Sequence, residues 1–268
     1  MDKPTMFQPY QAAPDIEVVP SYFPVPGLGI LPINAFVLRA AEPVLVDTGQ
    51  VLLCDEFMKT LSDVIDLADL RWLWLTHADP DHIGSLHRLL DEAPRLRVIT
   101  TFLAVGKMSL FRPLPMDRVY LLNPGQSLRV GDRTLTAIRP PTYDAPETTG
   151  FYDSGSCAFF SADCLGALMS DPVEYAAEIE PAHLRQGLVK WMTVDSPWLH
   201  MTDNARFTAA LNHVRELKPK VVLSAHLPAA QGMAETLLDY LAAVPAAEPF
   251  VGPDQPALEA MLAGTAAK

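Results

Sequence analysis

The sequence is short of what several functional classes require. It has three cysteines, Cys54, Cys157 and Cys164, odd in number, far apart and without a C-x-x-C pair. That excludes a disulfide framework and a thiolate zinc site. Basic residues are in deficit: 20 Lys and Arg face 32 Asp and Glu, a formal charge of −12. With no Lys/Arg cluster to override that sign, phosphate backbones and anionic lipid surfaces would repel the chain, so neither nucleic acid nor membrane is an expected partner. No stretch approaches the roughly 18 uninterrupted apolar residues of a membrane span. The N-terminal MDKPTMFQPYQAAPDIEVVP carries early Asp and Pro where a signal peptide would be apolar. These absences predict a soluble, cytoplasmic protein. G-x-x-x-x-G-K-[ST], G-x-G-x-x-G and G-x-S-x-G are also missing, so P-loop, Rossmann and nucleophile-elbow chemistry lack their residues.

What is present points to layered α/β structure. The chain is 268 residues long and 49% hydrophobic, enough for a sizeable core. Its 25 prolines imply many loops with locked φ. Residues 16–49 read as a meander of short strands: EVVPSYFPV, PGLGILP, INAFVLRA and PVLVDTG. A helical period follows over 51–67, then a buried-strand run LRWLWL, then a second helical period ending before Pro94. Strands are expected at LRVIT and DRVYLL, with a short helix near 105–110. Hairpins are expected turning at Gly131-Asp132 and at Asp153-Ser154-Gly155. Downstream, helices are predicted over 172–187, 202–217 and 231–243, with PKVVLSAH as a strand. Residues 1–248 are expected to form one domain and 249–268 an Ala/Pro-rich tail. Strands first, then alternation, then a helix-rich end argue for helices covering sheet faces.

The segment that carries chemistry is Leu73-Trp74-Leu75-Thr76-His77-Ala78-Asp79-Pro80-Asp81-His82. Four metal-ligating side chains fall where a buried strand ends and a helix begins, a place where side chains converge on a crevice. Two apart in an extended loop, His77 and Asp79 project to one side. Pro80 disfavours an α conformation at Asp79 and redirects Asp81 and His82 toward a second point. Taken singly, each residue is better explained as a cap or turn. Four together on one loop favour a metal.

Here the sequence resembles the metallo-β-lactamase superfamily, whose signature at this loop is H-x-H-x-D-H. The resemblance is closer to the oxidase domain of flavodiiron proteins and related oxygen-binding di-iron proteins, with H-x-E-x-D-H. This chain has H-A-D-P-D-H, a carboxylate where a hydrolase places its second histidine. The likeness runs from about Asn34 to His226 and includes the early turn Val46-Asp47-Thr48-Gly49. It implies a four-layer αβ/βα sandwich. Asp163, within Phe159-Phe160-Ser161-Ala162-Asp163-Cys164, is implied as a metal-bridging aspartate, and His226, ending Leu223-Ser224-Ala225-His226, as a ligand. The family's remaining histidine should precede Pro146-Glu147-Thr148-Thr149 by two residues, where this chain has Asp144 beside Tyr143. The implied set is His77, Asp79 and Asp144 around one metal and Asp81, His82 and His226 around the other, with Asp163 between. Glu147 competes with Asp144 for the first site.

Three imidazoles and four carboxylates suit iron or manganese better than a strict zinc preference, so two iron ions are expected, with manganese or zinc as alternatives. Four carboxylates cancel two divalent ions. A neutral pocket acidifies bound water less than a positive one and favours oxidised metal, which points to electron chemistry or gas binding rather than hydrolysis. Binding or reduction of dioxygen or a related small oxidant is therefore the leading expectation. A metallohydrolase cleaving an ester, thioester, lactone or phosphoester is the alternative. The residues after 248 are too few for the flavodoxin domain that flavodiiron proteins append, so an external electron donor, or gas sensing, is expected. Related proteins often pair, and FPVPGLGILP offers contact surface for a homodimer.

Other side chains read more plainly. Asp47 is expected to act in a turn or cap. His87, His183, His200 and His213 read as surface or packed histidines, and Cys164 as a buried small side chain. Trp191, Trp198, Phe151 and His200 are candidate pocket walls or lid residues, and Asn34 and Tyr143 candidate hydrogen-bond donors to the ligands.

Overall fold

Short apolar runs separated by turns build two sheets. The structure, a computed structural model, describes residues 3–266; positions 1–2 and 267–268, at the outer ends of the expected domain and tail, lie outside the described residues. The first sheet takes β1 (Thr5–Met6), β2 (Tyr10–Ala13), β3 (Ile16–Val25), β4 (Gly29–Leu38), β5 (Val44–Val46), β6 (Trp72–Trp74), β7 (Arg97–Thr100) and β8 (Val119–Leu121). Helices α1 (Cys54–Val64), α2 (Leu86–Glu92) and α3 (Phe102–Ser109) lie in its crossovers. Its order is β1-β3-β4-β5-β6-β7-β8, with β2 added to β3, and β5 to β8 run parallel. The second sheet is β14-β13-β12-β11-β10-β9, from β9 (Ser127–Val130), β10 (Arg133–Ile138), β11 (Gly150–Asp153), β12 (Ala158–Phe160), β13 (Val221–Leu223) and β14 (Ala230–Gln231). Four more helices, α4 (Pro181–Asp195), α5 (Asn204–Leu217), α6 (Ala234–Ala242) and α7 (Gln255–Ala266), complete the described chain.

Strand alternation sorts the apolar residues into layers. In β6, Trp72 and Trp74 face the second sheet, while Leu73 faces α1 to α3. β13 does the same in mirror image, with Val221 and Leu223 inward and Val222 toward α4 to α6. Strands buried on both faces are why LRWLWL and KVVL read as continuous apolar runs. The result is the four-layer αβ/βα sandwich. Phe151, a sequence candidate for a lid, belongs to the inter-sheet core, with its ring centroid 4.2 Å from Phe160 and 4.4 Å from Trp74. Among the described residues no helix is long and apolar enough to cross a membrane.

Four sequence readings are corrected. PGLGILP and INAFVLRA are one strand, β4, paired with β3 from Gly29 to Leu38. Proline does not break this ladder, because Pro20, Pro24 and Pro32 fall in alternate pairs of one register, Pro20↔Asn34, Tyr22↔Pro32 and Pro24↔Ile30. Those are the pairs that exchange no hydrogen bonds, so no β3–β4 bond needs the missing N–H. The helix expected over 172–187 is α4, nine residues later, because Pro181 opens it and Glu180 caps it by accepting from His183 N. Upstream, Ala176 N donates to Ala229 O instead of to a helical carbonyl. The Asp153 turn is longer than expected, with Asp153 paired to Ala158 at the strand ends. Helix 231–243 is not the last one, since α7 occupies most of the expected tail.

Candidate metal centre

All the candidate ligands lie just beyond strand ends at one edge of the sandwich. His77, Asp79, Asp81 and His82 follow β6, Asp144 lies between β10 and β11, Asp163 follows β12, and His226 follows β13. Parallel strands deliver loops to a common edge, which is why a crevice forms there. The 76–85 loop is tied to the turn after β5. Thr48 N donates to His82 O (2.7 Å) and Gly84 N to Gly49 O (2.9 Å). Gly84 is required by this approach, since a Cβ there would lie 2.3 Å from Gln50 C.

Each imidazole is fixed through Nδ1 and turns Nε2 inward. His82 Nδ1 is 2.9 Å from Asp47 Oδ2, His77 Nδ1 is 3.1 Å from Thr76 Oγ1, and His226 Nδ1 is 2.8 Å from Pro32 O. The last contact depends on the proline register. A carbonyl in a non-hydrogen-bonded pair points away from its β3 partner, and β5 reaches only Phe36 to Leu38, so Pro32 O is free for His226. From the same side of β4, Asn34 Nδ2 donates to Ser224 O and Leu227 O (3.1 and 2.8 Å), holding the His226 loop.

The three Nε2 atoms meet on Asp163. Its Oδ2 is 3.3 Å from His77 Nε2, and its Oδ1 is 3.1 Å from His82 Nε2 and 3.3 Å from His226 Nε2. Asp81 Oδ2 lies 3.5 and 3.6 Å from the Nε2 atoms of His82 and His226, and Asp144 Oδ1 lies 3.9 Å from that of His77. Ligand atoms of His77, Asp79 and Asp144 lie within 4.8 Å of one another, as do those of Asp81, His82 and His226. Asp163 therefore spans two groups of potential ligands, one oxygen to each. Asp144, not Glu147, is grouped with His77 and Asp79.

The chemistry of the set fits cations. His77 Nε2, His82 Nε2 and Asp163 Oδ1 are buried and make no hydrogen bond, an arrangement that costs about 1–3 kcal/mol per group unless a further partner satisfies it. Backbone strain gathers at the same edge: Asp47, Ala162 and Leu165 have φ of 58°, 53° and 69°. The field is strongly negative. Burial opposes charge on all three imidazoles, yet Asp163 lifts His77 above its usual range, Asp81 and Asp163 lift His82, and Asp163 and Asp81 lift His226 to about 9. Asp163 sits well below the carboxylate range despite burial, because the three histidines favour its charged form. A field that retains protons on buried imidazoles would equally retain metal ions, which would displace those protons.

Sequence reasoning missed three contributors. Asp47, read as a turn residue, accepts from Thr76 N and Oγ1 as well as facing His82 Nδ1. Lys107 Nζ lies 2.7 Å from Asp79 Oδ1 and 2.8 Å from Glu147 Oε1. Asp195, at the end of α4, has a ligand oxygen grouped with Asp144 and Asp163. Burial, then repulsion from Asp163 and Asp144, raises its carboxyl to about 7. The D-T-G turn signalled the first of these; nothing local signalled the others. Tyr143 acts through its carbonyl, which accepts from Trp198 Nε1 (3.1 Å), not as a donor to the ligands. Trp191 stands edge-on to His226 with centroids 5.4 Å apart. His183, His200 and His213 are exposed and His87 is partly buried away from the centre. Cys164 is buried, which raises its thiol to about 12.

The Asp47 contact gives a direct test. In Asp47→Asn the left-handed backbone is tolerated, but one oxygen can no longer serve both Thr76 and His82. Metal affinity is expected to fall by about 10- to 100-fold in competition with a chelator; an unchanged affinity would reduce Asp47 to a turn residue.

The sequence model of a family described as ODP family beta lactamase matches residues 31–226. Over 152 residues the chain is 27% identical to the anaerobic nitric oxide reductase flavorubredoxin of Salmonella typhi, covering 56% of this chain and 32% of that protein. It spans about a third of the length of that relative. The flavodiiron protein of Giardia intestinalis superposes with a TM-score of 0.75 at 20% identity, over 89% of this chain and 59% of that one. Rubredoxin oxygen:oxidoreductase from Desulfovibrio gigas gives 0.75 at 17%, over 88% and 61%. These structural likenesses establish the fold.

Proposed function

Because the chain belongs to the ODP family of beta-lactamase-fold domains, we propose that it holds two iron ions and binds or reduces a small oxidant, dioxygen or nitric oxide. The observation that carries this reading is the donor set: three inward Nε2 atoms and the Asp79, Asp81, Asp144 and Asp163 carboxylates, with Asp163 offering one oxygen to each group. His77, Asp79 and Asp144 would hold one ion and Asp81, His82 and His226 the other. When bound, the pair would supply electrons and open coordination positions for the oxidant. Relatives named for nitric oxide reduction and for oxygen reduction support both candidate substrates.

The chain's own residues do the rest. Asp47, Thr76 and Pro32 lock the three imidazoles, so their geometry exists before any ion arrives and the histidines need little reorganisation. Burial of His77, His82, His226 and Asp163 keeps bulk water from the inner side of the centre. Asp79, Asp81 and Asp144 are the open ligands, with side-chain exposures of 32%, 31% and 25%, and mark the side from which a small molecule would enter. Four carboxylates neutralise two divalent ions, which favours electron exchange over generation of hydroxide. An electron donor, protein or domain, is part of this reading.

Anaerobic loading with ferrous iron tests it. Two irons per chain are expected, together with a visible absorption change on exposure to dioxygen or nitric oxide. A strict preference for two zinc ions, with no spectral response to either gas, would overturn it.

A further inference from the structure

The two groups of ligands are not equivalent, and Lys107 is one of the differences. It sits in α3, whose N-cap Thr101 accepts from Ala104 N and donates to Glu147 O at 3.3 Å. That anchors the helix to the segment carrying Asp144. The ammonium then bridges Asp79 Oδ1 and the buried Glu147 carboxylate, at 2.7 and 2.8 Å. Asp79 is thus half-engaged by a fixed positive charge, and one of its oxygens must leave Lys107 before both can face an ion. Among the described residues the other group has no such neighbour: the ion pairs of Asp81 are with His82 and His226. It also has two imidazoles where the first group has one.

We propose that Lys107 makes the two metal positions unequal, so that the Asp81/His82/His226 position fills first and tightly while the His77/Asp79/Asp144 position stays weaker and exchangeable. The inference rests on the binuclear reading above. Its physical basis is competition: the ammonium, its charge largely offset by Glu147, holds the Asp79 oxygen that a divalent ion would need. Because Lys107 is 39% exposed, solvent screens part of this opposition and limits the lysine's share to about fivefold. A weaker first position would allow one ion to be lost or exchanged while the other remains.

Manganese(II) titration of the chelator-stripped full chain, followed by electron paramagnetic resonance of the free ion, reads both affinities without any turnover. Wild type is expected to show two classes of site at least about tenfold apart. Lys107→Met alone would leave Glu147, 2% exposed, as an uncompensated buried charge, so the decisive variant is Lys107→Met/Glu147→Gln, with folding checked by circular dichroism. It should tighten the weaker class by about fivefold and move the tighter class by no more than about twofold. Lys107→Arg, which keeps the charge, should retain the wild-type gap. Equal affinities in wild type, or an unchanged or loosened weaker class in the double variant, would overturn the role of Lys107. Fewer than two manganese ions bound by wild type at any concentration would instead overturn the binuclear reading itself.

Discussion

Stripping divalent metal from the chain will lower its melting temperature by roughly 10 °C or more, and the gap will widen as pH rises from 6 to 9. Two ions each present at about 100 times their Kd contribute about 2.7 kcal/mol apiece, and a domain of this size moves roughly 2–4 °C per kcal/mol. The pH slope follows from the site. His77, His82 and His226 have folded pKa values above the usual imidazole value, that of His226 at about 9. Their contribution to the metal-free fold is present below about pH 6.5 and is lost as pH rises through the folded values. Asp195, raised to about 7, acts in the same direction: its contribution is present below the usual carboxyl value and lost as pH climbs through 7. Bound cations displace these protons, so the loaded protein escapes the loss. Differential scanning calorimetry at pH 6, 7.5 and 9, with and without chelator, measures both effects. A gap that is absent, or that narrows toward pH 9, would contradict the cation site.

Asp163→Asn will reduce bound metal from two ions per chain to about one or fewer, the largest effect expected of any single substitution here. Asp163 Oδ2 faces His77 while Oδ1 faces His82 and His226, so the change removes charge from both groups and an anionic oxygen donor from one. Asparagine preserves the shape, which separates ligation from packing at a position whose neighbours Ala162 and Leu165 are held at positive φ. Asp79→Asn or Asp144→Asn should cost only the His77 position. Mass-spectrometric metal counting on protein purified without oxygen distinguishes these patterns. Full occupancy in Asp163→Asn would remove it from the bridging position.

How much of this could be read from the sequence depends on how local each contact is. The 77–82 loop was legible because its ligands share six consecutive residues between a strand and a helix. The sandwich was legible as alternation, but its four-layer form came from the likeness to a known family. Asp163 and His226 carry no signature of their own and entered only through that likeness. Asp47 looked like a turn residue because its partner His82 is 35 positions away. Lys107 and Asp195 look like ordinary polar residues of α3 and α4; only the packing of those helices at the crevice brings them to the ligands. The later start of α4 has a local cause, because Pro181 begins the helix rather than lying inside it. β4 was split in two since Pro32 resembles a breaker, while its register spares the ladder any missing donor.

The bond between Pro32 O and His226 Nδ1 joins positions 194 apart, and that separation sets an order of events in biosynthesis. As the chain emerges from the ribosome, the first sheet through β8 can close, and the 77–82 loop can dock on its Asp-Thr-Gly turn, long before His226 exists. The second cluster lacks one imidazole until β13 pairs with β12 and swings its loop against β4. A nascent chain therefore presents an open, acidic half-site from the emergence of His82 until His226 has been added. On the binuclear reading, an ion at that cluster would meet its full set of ligands only once the His226 loop has seated.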